Sequence, residues 1–401
     1  MLLKEKILDL SEELFETIKE YRNWLHQHPE TAFEELETAR YICSFLDKQG
    51  VKYEYGIAKT GITGLIEGKN PSKKIIALRA DMDALEIVEE NQVSYKSLNN
   101  GMMHACGHDV HMASLMGTLS ILNQLKDQFE GSVKFIFQPS EEKNPGGASV
   151  MIKEGVLENP APESIFGQHV FPDMEVGKVG FRSGKYMAST DEIYLDVRAN
   201  GGHGGMPHQI IDTVLIASHI IVALQQISSR RANPTMPTVL SFGRFIADGQ
   251  TNVIPDQVHI EGTMRTFNEE WRKEMHREIK QIASGMAISM GGVCDVEIGH
   301  GYPFVDNNVD LTQRAKQYAI ELLGEEKVVD LDMRMTGEDF SFYSQLIPGC
   351  FYRLGTRNEK LGIKSSLHTS TFDIDSDSLK TGMALMAWLA IKELQNVANQ
   401  I

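Results

Sequence analysis

Four separate stretches of this 401-residue chain carry side chains able to ligate a metal or move a proton. The first is Met103-His104-Ala105-Cys106-Gly107-His108-Asp109, directly before a helical pattern. Cys106 and His108 flank one glycine, so a bent backbone turns both towards one centre, and a thiolate with an imidazole suits zinc and its transition-series neighbours. Taken alone, a Cys-x-His pair arises by chance as readily as by function. The second is Phe135-Ile136-Phe137-Gln138-Pro139-Ser140-Glu141-Glu142, an apolar strand running into adjacent carboxylates. Such neighbours allow one carboxylate to hold metal while the other handles a proton, although an isolated pair is more often a solvated acidic turn. The third, Ile165-Phe166-Gly167-Gln168-His169-Val170, reads as a short apolar strand ending in a ligand type; the fourth is Ser366-Leu367-His368-Thr369-Ser370. Either histidine by itself would more often be an ordinary core or surface residue. Together the four change the balance, because each falls at a strand end or loop of the kind that shares one edge of an α/β sheet.

The elements that must position them follow from periodicity. Residues 5–48 carry apolar positions at helical spacing, interrupted at His28-Pro29. Strands are predicted at 64–67, 74–79, 132–138 and 164–167, with helices at 110–125 and 146–155 between them. Strands alternating with helices predict an α/β fold, a mixed sheet with helices on both faces. From about Val179 the order becomes strand 192–198, helix 210–231, strands 238–245 and 258–267, helix 269–290 and strand 293–298. That βαββαβ order is the signature of a ferredoxin-like α+β unit. After Gly301 the α/β texture resumes with helix 311–323, short helix 338–346, strand 350–354 and helix 378–397. The expected organisation is a catalytic domain of residues 1–179 and 300–401, interrupted by an inserted lid and dimerisation domain of residues 180–299. Gly177, Gly180, Gly299 and Gly301 mark the junctions.

Composition narrows the function classes. A formal charge of −16 opposes encounter with nucleic acid or an anionic membrane, so neither is expected as a partner. The longest apolar runs, such as Met383–Ile391, fall far short of the ~20 residues of a membrane helix. The N-terminal residues mix charge and apolar positions like an amphipathic helix and are read as mature structure rather than a signal peptide. Four cysteines without disulfide spacing suit a reducing cytoplasm. A Gly-x-Ser-x-Gly elbow, a His-Glu-x-x-His helix and a phosphate-cradling glycine loop are all missing from the sequence, which weakens serine-hydrolase, single-zinc protease and nucleotide-dependent readings.

Eight pieces in order also carry a resemblance. They are Leu25-His26-Gln27-His28-Pro29-Glu30, Arg79-Ala80-Asp81-Met82-Asp83-Ala84-Leu85, the Cys-Gly-His-Asp and Gln-Pro-Ser-Glu-Glu segments, Gly201-Gly202-His203-Gly204-Gly205, Asn252-Val253-Ile254-Pro255, Thr336-Gly337-Glu338-Asp339-Phe340 and Leu367-His368. On these the chain resembles the dinuclear metallopeptidase and aminoacylase family. The likeness is closest to its amidohydrolase branch of hippurate hydrolases, N-acetyldiaminopimelate deacetylases and auxin-conjugate hydrolases.

The resemblance implies that Cys106, His108, Glu142, His169 and His368 hold two divalent metal ions, the cysteine bridging, with Glu141 as general acid/base. Zinc is the expected metal; manganese, cobalt and nickel suit the same donors. His203, flanked by glycines, would help bind the carbonyl oxyanion, often across a dimer interface; a homodimer or higher homo-oligomer is therefore expected. Asn252 and Arg265 are candidates for gripping a substrate carboxylate. Many members of the wider family have a His where Asp81 stands here, so no ligand role passes to Asp81. Asp81 and Asp83 are read as supporting groups, and Glu338 and Asp339 receive no role. The implied activity is hydrolysis of N-acyl amino acids. A dipeptidase or carboxypeptidase of the same family, or a metal-binding relative without catalysis, is the alternative.

Overall fold

The computed structural model describes residues 2–396, so the last residue of the helix expected at 378–397 lies outside them. The chain runs α1 (Leu3–Gln27), α2 (Leu36–Gln49), β1 (Tyr53–Ile57), β2 (Gly61–Glu67), β3 (Ile75–Asp81), α3 (His108–Gln124), β4 (Ser132–Gln138), α4 (Gly147–Lys153), β5 (Ile165–Glu175), β6 (Val179–Phe181) and β7 (Gly184–Met187). Next come β8 (Asp191–Arg198), β9 (Gly202–His203), α5 (Thr213–Gln226), β10 (Thr238–Ile246), β11 (Val253–Ile254), β12 (Gln257–Thr266), α6 (Glu269–Ser289) and β13 (Val293–His300). The remainder is β14 (Val305–Asn307), α7 (Val309–Leu323), β15 (Val328–Asp330), α8 (Ser341–Ser344), β16 (Gly349–Arg357) and α9 (Ser378–Gln395). Two compact units result: Met1–Tyr186 with Asp306–Met333 and Asp339–Ile401, and Met187–Val305 with Arg334–Glu338.

In the first unit an eight-stranded mixed sheet has the order β1-β2-β4-β3-β5-β16-β6-β15. β3 lies parallel between β4 and β5, and β16 continues parallel to β5. Because Asp81 pairs with Gln138 in register, β3 and β4 release their chains at the same carboxyl edge, where ligands of such sheets bind. α1 stops where the chain reaches His28-Pro29, since proline disfavours helix at the residue before it. α3 is buried at every position from His108 to Leu122 and packs against α1 and α9. It therefore turns no side to solvent, unlike a surface helix.

The second unit folds as β8-α5-β10-β12-α6-β13, with an antiparallel sheet ordered β10-β12-β8-β13. β8 alternates buried Ile193, Leu195 and Val197 with more exposed neighbours, and these pack with Ile216, Ile220, Leu224, Met275 and Ile279 of the two helices. Asp191 is fully buried and accepts bonds from Arg272 Nε (2.7 Å) and Nη2 (2.5 Å), His276 Nε2 (2.8 Å) and the Gly301 N–H (3.1 Å). The mixed-sheet α/β fold with a ferredoxin-like α+β unit is the one expected.

Several boundaries differ from expectation for physical reasons. The helix expected at 210–231 starts only at Thr213, where Asp212 accepts the Leu215 N–H as N-cap, and its last turn, Ile227–Arg231, is a wider π-type turn. β5 does not end near His169 but continues to Glu175, because β16 pairs along it. The helix expected at 338–346 is only the single turn Ser341–Ser344. No helix among the described residues is long and apolar enough to cross a membrane.

Candidate active site

Cys106 and His108 sit on either side of Gly107, which takes φ +80° as the cap of α3. A side chain there would be strained, and a Cβ would lie 2.5 Å from Val170 Cγ2. Asp109 fixes the first turn of α3 to α1, accepting from Arg22 Nε at 2.8 Å and from His26 Nδ1 at 2.7 Å. The His368 N–H donates to the Ala105 carbonyl at 2.9 Å, which draws the late loop against the early one.

The five expected metal ligands, all in the first unit, are brought together. Cys106 Sγ lies 3.6 Å from His169 Nε2 and 3.4 Å from His368 Nε2. Glu142 Oε1 is 3.2 Å from His368 Nε2 and 3.9 Å from His108 Nε2. Two donor groups, Cys106-His108-His169 and Cys106-Glu142-His368, thus share the sulfur, with each group's ligand atoms within 4.8 Å of one another. Both His108 ring nitrogens are buried without a hydrogen-bond partner, where such atoms normally have one. Burial opposes charge on His108, yet Asp81, Asp83 and Glu142 push its imidazole up to about 10. Burial, then Glu142 and Glu141, push the Cys106 thiol well above its usual range. Orphaned donors, a thiol and crowded carboxylates fit divalent cations, which would supply the missing positive charge.

Glu141 is buried beside this cluster, and the turn that carries it is tied down one amide at a time. Ser140, at φ +51°, donates its N–H to Glu35 Oε1 at 2.8 Å. The Glu141 and Glu142 N–H groups donate to Asp83 Oδ1 and Oδ2, both at 2.9 Å. Burial and then Asp83 push Glu35 up to about 7. Behind the turn, Arg79 donates to Gln138 Oε1 at 2.9 Å, Asp81 Oδ2 at 2.7 Å and Asp339 Oδ1 at 2.7 Å. Asp339 also accepts from Gln138 Nε2 and the Ala148 N–H. Residue type alone does not single out Glu35, Arg79 or Gln138, since Glu35 meets Ser140, and Arg79 and Gln138 meet each other and Asp339, only across the fold. His111 carried one overlooked signal, its i, i+3 spacing from His108 on a helix face.

In the second unit, His203 is exposed on β9, opposite Val253 of β11. Its Nδ1 accepts the Gly205 N–H at 2.9 Å, so the neutral ring carries its proton on Nε2. The Gly204 N–H donates to the Asn252 carbonyl at 2.8 Å, placing Asn252 on the same ribbon as His203. Arg265, on β12, donates Nη1 to the Met264 carbonyl at 3.0 Å.

The sequence pattern of the peptidase family M20/M25/M40 matches residues 77–392. The N-acetylcysteine deacetylase of Bacillus subtilis is 36% identical over 377 residues, 94% of this chain and 96% of that protein. Thermostable carboxypeptidase 2 of Saccharolobus solfataricus is 36% identical over 395 residues, 96% of this chain and 99% of that one. Among solved structures, the Bacillus subtilis YXEP protein, described as a dinuclear metal binding peptidase, superposes with a TM-score of 0.83. It is 33% identical, with 96% of this chain and 100% of that chain covered.

Proposed function

The chain belongs to the M20/M25/M40 peptidase family, and from that premise we propose that this hydrolase cleaves the amide bond of N-acyl amino acids at a two-metal centre. The observation that carries this reading is the shared-sulfur cluster of Cys106, His108, Glu142, His169 and His368 with Glu141 held beside it. Those five residues would hold the two ions. When bound, divalent cations lower the pKa of water and polarise an acyl carbonyl. Glu141 takes a proton from the attacking water and delivers it to the departing nitrogen, while Asp83 holds Glu141 at its own amide. His203 donates Nε2–H to the developing oxyanion, and Asn252 and Arg265 hold the substrate carboxylate. One thiol and three imidazoles favour zinc; manganese, cobalt or nickel suit the same donors. The four free cysteines fit a cytoplasmic enzyme, and a homodimer would follow if His203 serves a partner's site.

The likeness to a protein named a carboxypeptidase supports a second reading, peptide hydrolysis at the same centre. A panel of acetyl-, benzoyl- and peptidyl-amino acids, assayed before and after chelation, separates the two. Chelated enzyme should be inactive and recover with added zinc or manganese. Full turnover by metal-free protein would refute the reading.

A further inference from the structure

His111 belongs to a third group of donors, Asp81-His108-His111, whose ligand atoms also lie within 4.8 Å of one another. Its geometry argues against a cation there. His111 Nε2 accepts the Val170 N–H at 2.9 Å, and an N–H can only donate, so Nε2 is the bare nitrogen and Nδ1 carries the proton. That proton goes to Asp81 Oδ1 at 2.6 Å, and Asp81 Oδ2 accepts from Arg79 at 2.7 Å. Both ring nitrogens are spent, and each Asp81 oxygen already has a donor.

What the ring holds is a position in β5. The pairing of β3 with β5 stops at Gly167, and further along the Val170 N–H goes to a side chain. A buried amide needs such a partner. His169 Nδ1 in turn donates to the Val170 carbonyl at 2.7 Å, which leaves Nε2 as the bare nitrogen on the side of Cys106 Sγ. The backbone unit that orients His169 is therefore itself held by His111.

We propose that His111 is a positioning residue: Arg79, Asp81 and His111 form a relay that fixes Val170 and thereby aims His169 Nε2 at the metal centre. This rests on the two-metal reading above. It separates two histidines one helical turn apart, His108 as ligand and His111 as support. Ligating histidines depend on such outer partners for orientation and basicity.

The test titrates metal-free protein with zinc by calorimetry, for wild type, His111→Leu and His111→Gln, with circular dichroism checking that each is folded. His111→Leu should lose about 10–100-fold in affinity at one of two sites, the usual effect of removing an outer partner. His111→Gln, which keeps a donor and an acceptor, should recover most of it. Zinc binding by His111→Leu equal to wild type would overturn the proposal. So would loss of one whole equivalent of zinc in both variants, which would make His111 a ligand. Wild type that binds no zinc would instead remove the two-metal reading, and this relay with it. A readout independent of variant folding is ¹⁵N NMR of wild-type histidines. His111 should keep its Nδ1–H tautomer on zinc loading while His108 and His169 shift; a ligation shift at His111 would overturn the assignment.

Discussion

Adding one methyl group at Gly107 tests how tightly the turn between Cys106 and His108 is constrained. Gly107 has φ +80°, and a left-handed conformation costs an L-residue about 1–2 kcal/mol. The new Cβ would also meet Val170 Cγ2 at 2.5 Å and Phe372 Cζ at 3.4 Å. Both neighbours are fully buried, so neither can swing into solvent, and overpacking of this kind costs about 1–3 kcal/mol. Gly107→Ala should therefore destabilise the first unit by about 2–5 kcal/mol. The chain has three tryptophans, Trp24, Trp271 and Trp388, so fluorescence in a Trp271→Phe background reports urea unfolding of the first unit alone. Val170→Ala should relieve the clash but not the backbone strain, giving a coupling of about 1–3 kcal/mol in a double-mutant cycle. Displaced Val170 should also cost zinc affinity, because His169 takes its orientation from the Val170 carbonyl. A Gly107→Ala protein within about 0.5 kcal/mol of wild type would refute the reasoning, since that is the scatter of neutral surface changes.

The adjacent carboxylates should separate by phenotype. Glu141→Gln should keep bound metal while losing ~10²–10⁴-fold in rate, and Glu142→Gln should lower metal content measured on the purified protein. The reverse pattern would exchange their roles. His203→Ala should leave metal content and folding intact and cut kcat by ~10²–10³-fold, the cost of one oxyanion donor; near-normal turnover would leave it a structural residue of the β9–β11 ribbon. In the second unit, burial alone would raise the Asp191 pKa, but Arg272 and His276 hold it below its usual 3.8. The stability it contributes should be complete above that value and fall as the pH drops through the depressed one, followed by Trp271 fluorescence. Asp191→Asn should flatten that acid limb and cost about 1.5–3 kcal/mol at neutral pH, because Arg272 loses its buried carboxylate partner and keeps only Glu269 Oε2 at 3.0 Å.

The candidate donors were legible chiefly through the resemblance, because carboxylates abound in this chain and each stretch alone reads as readily as an ordinary turn or core residue. The βαββαβ unit was legible because β8 alternates buried and open residues with period two, and its helices carry apolar stripes. The continuation of β5 past His169 was not, since it depends on β16, nearly two hundred residues later. β1 escaped notice because most of its residues are exposed, with little alternation to betray a strand. The supporting carboxylate Glu35 looks like any other until the Ser140 amide is seen to face it, whereas Asp83, already read as a supporting group, turns out to hold the amides of Glu141 and Glu142. A residue's own type shows what it can ligate, whereas its supporting partners are chosen by the fold.

The all-round burial of α3 has a consequence in time. His108 leaves the ribosome early, yet one cover for its helix is α9, the last helix of the chain, and His368 precedes that helix only narrowly. At about 5–20 residues per second, synthesis of the intervening chain takes on the order of tens of seconds. The second unit is almost continuous in sequence and has its own core, so it can fold while α3 still waits for cover. Completion of the proposed metal cage is thus a late event in biosynthesis, and the helix that carries His108 is the segment a nascent chain must keep from aggregating until then.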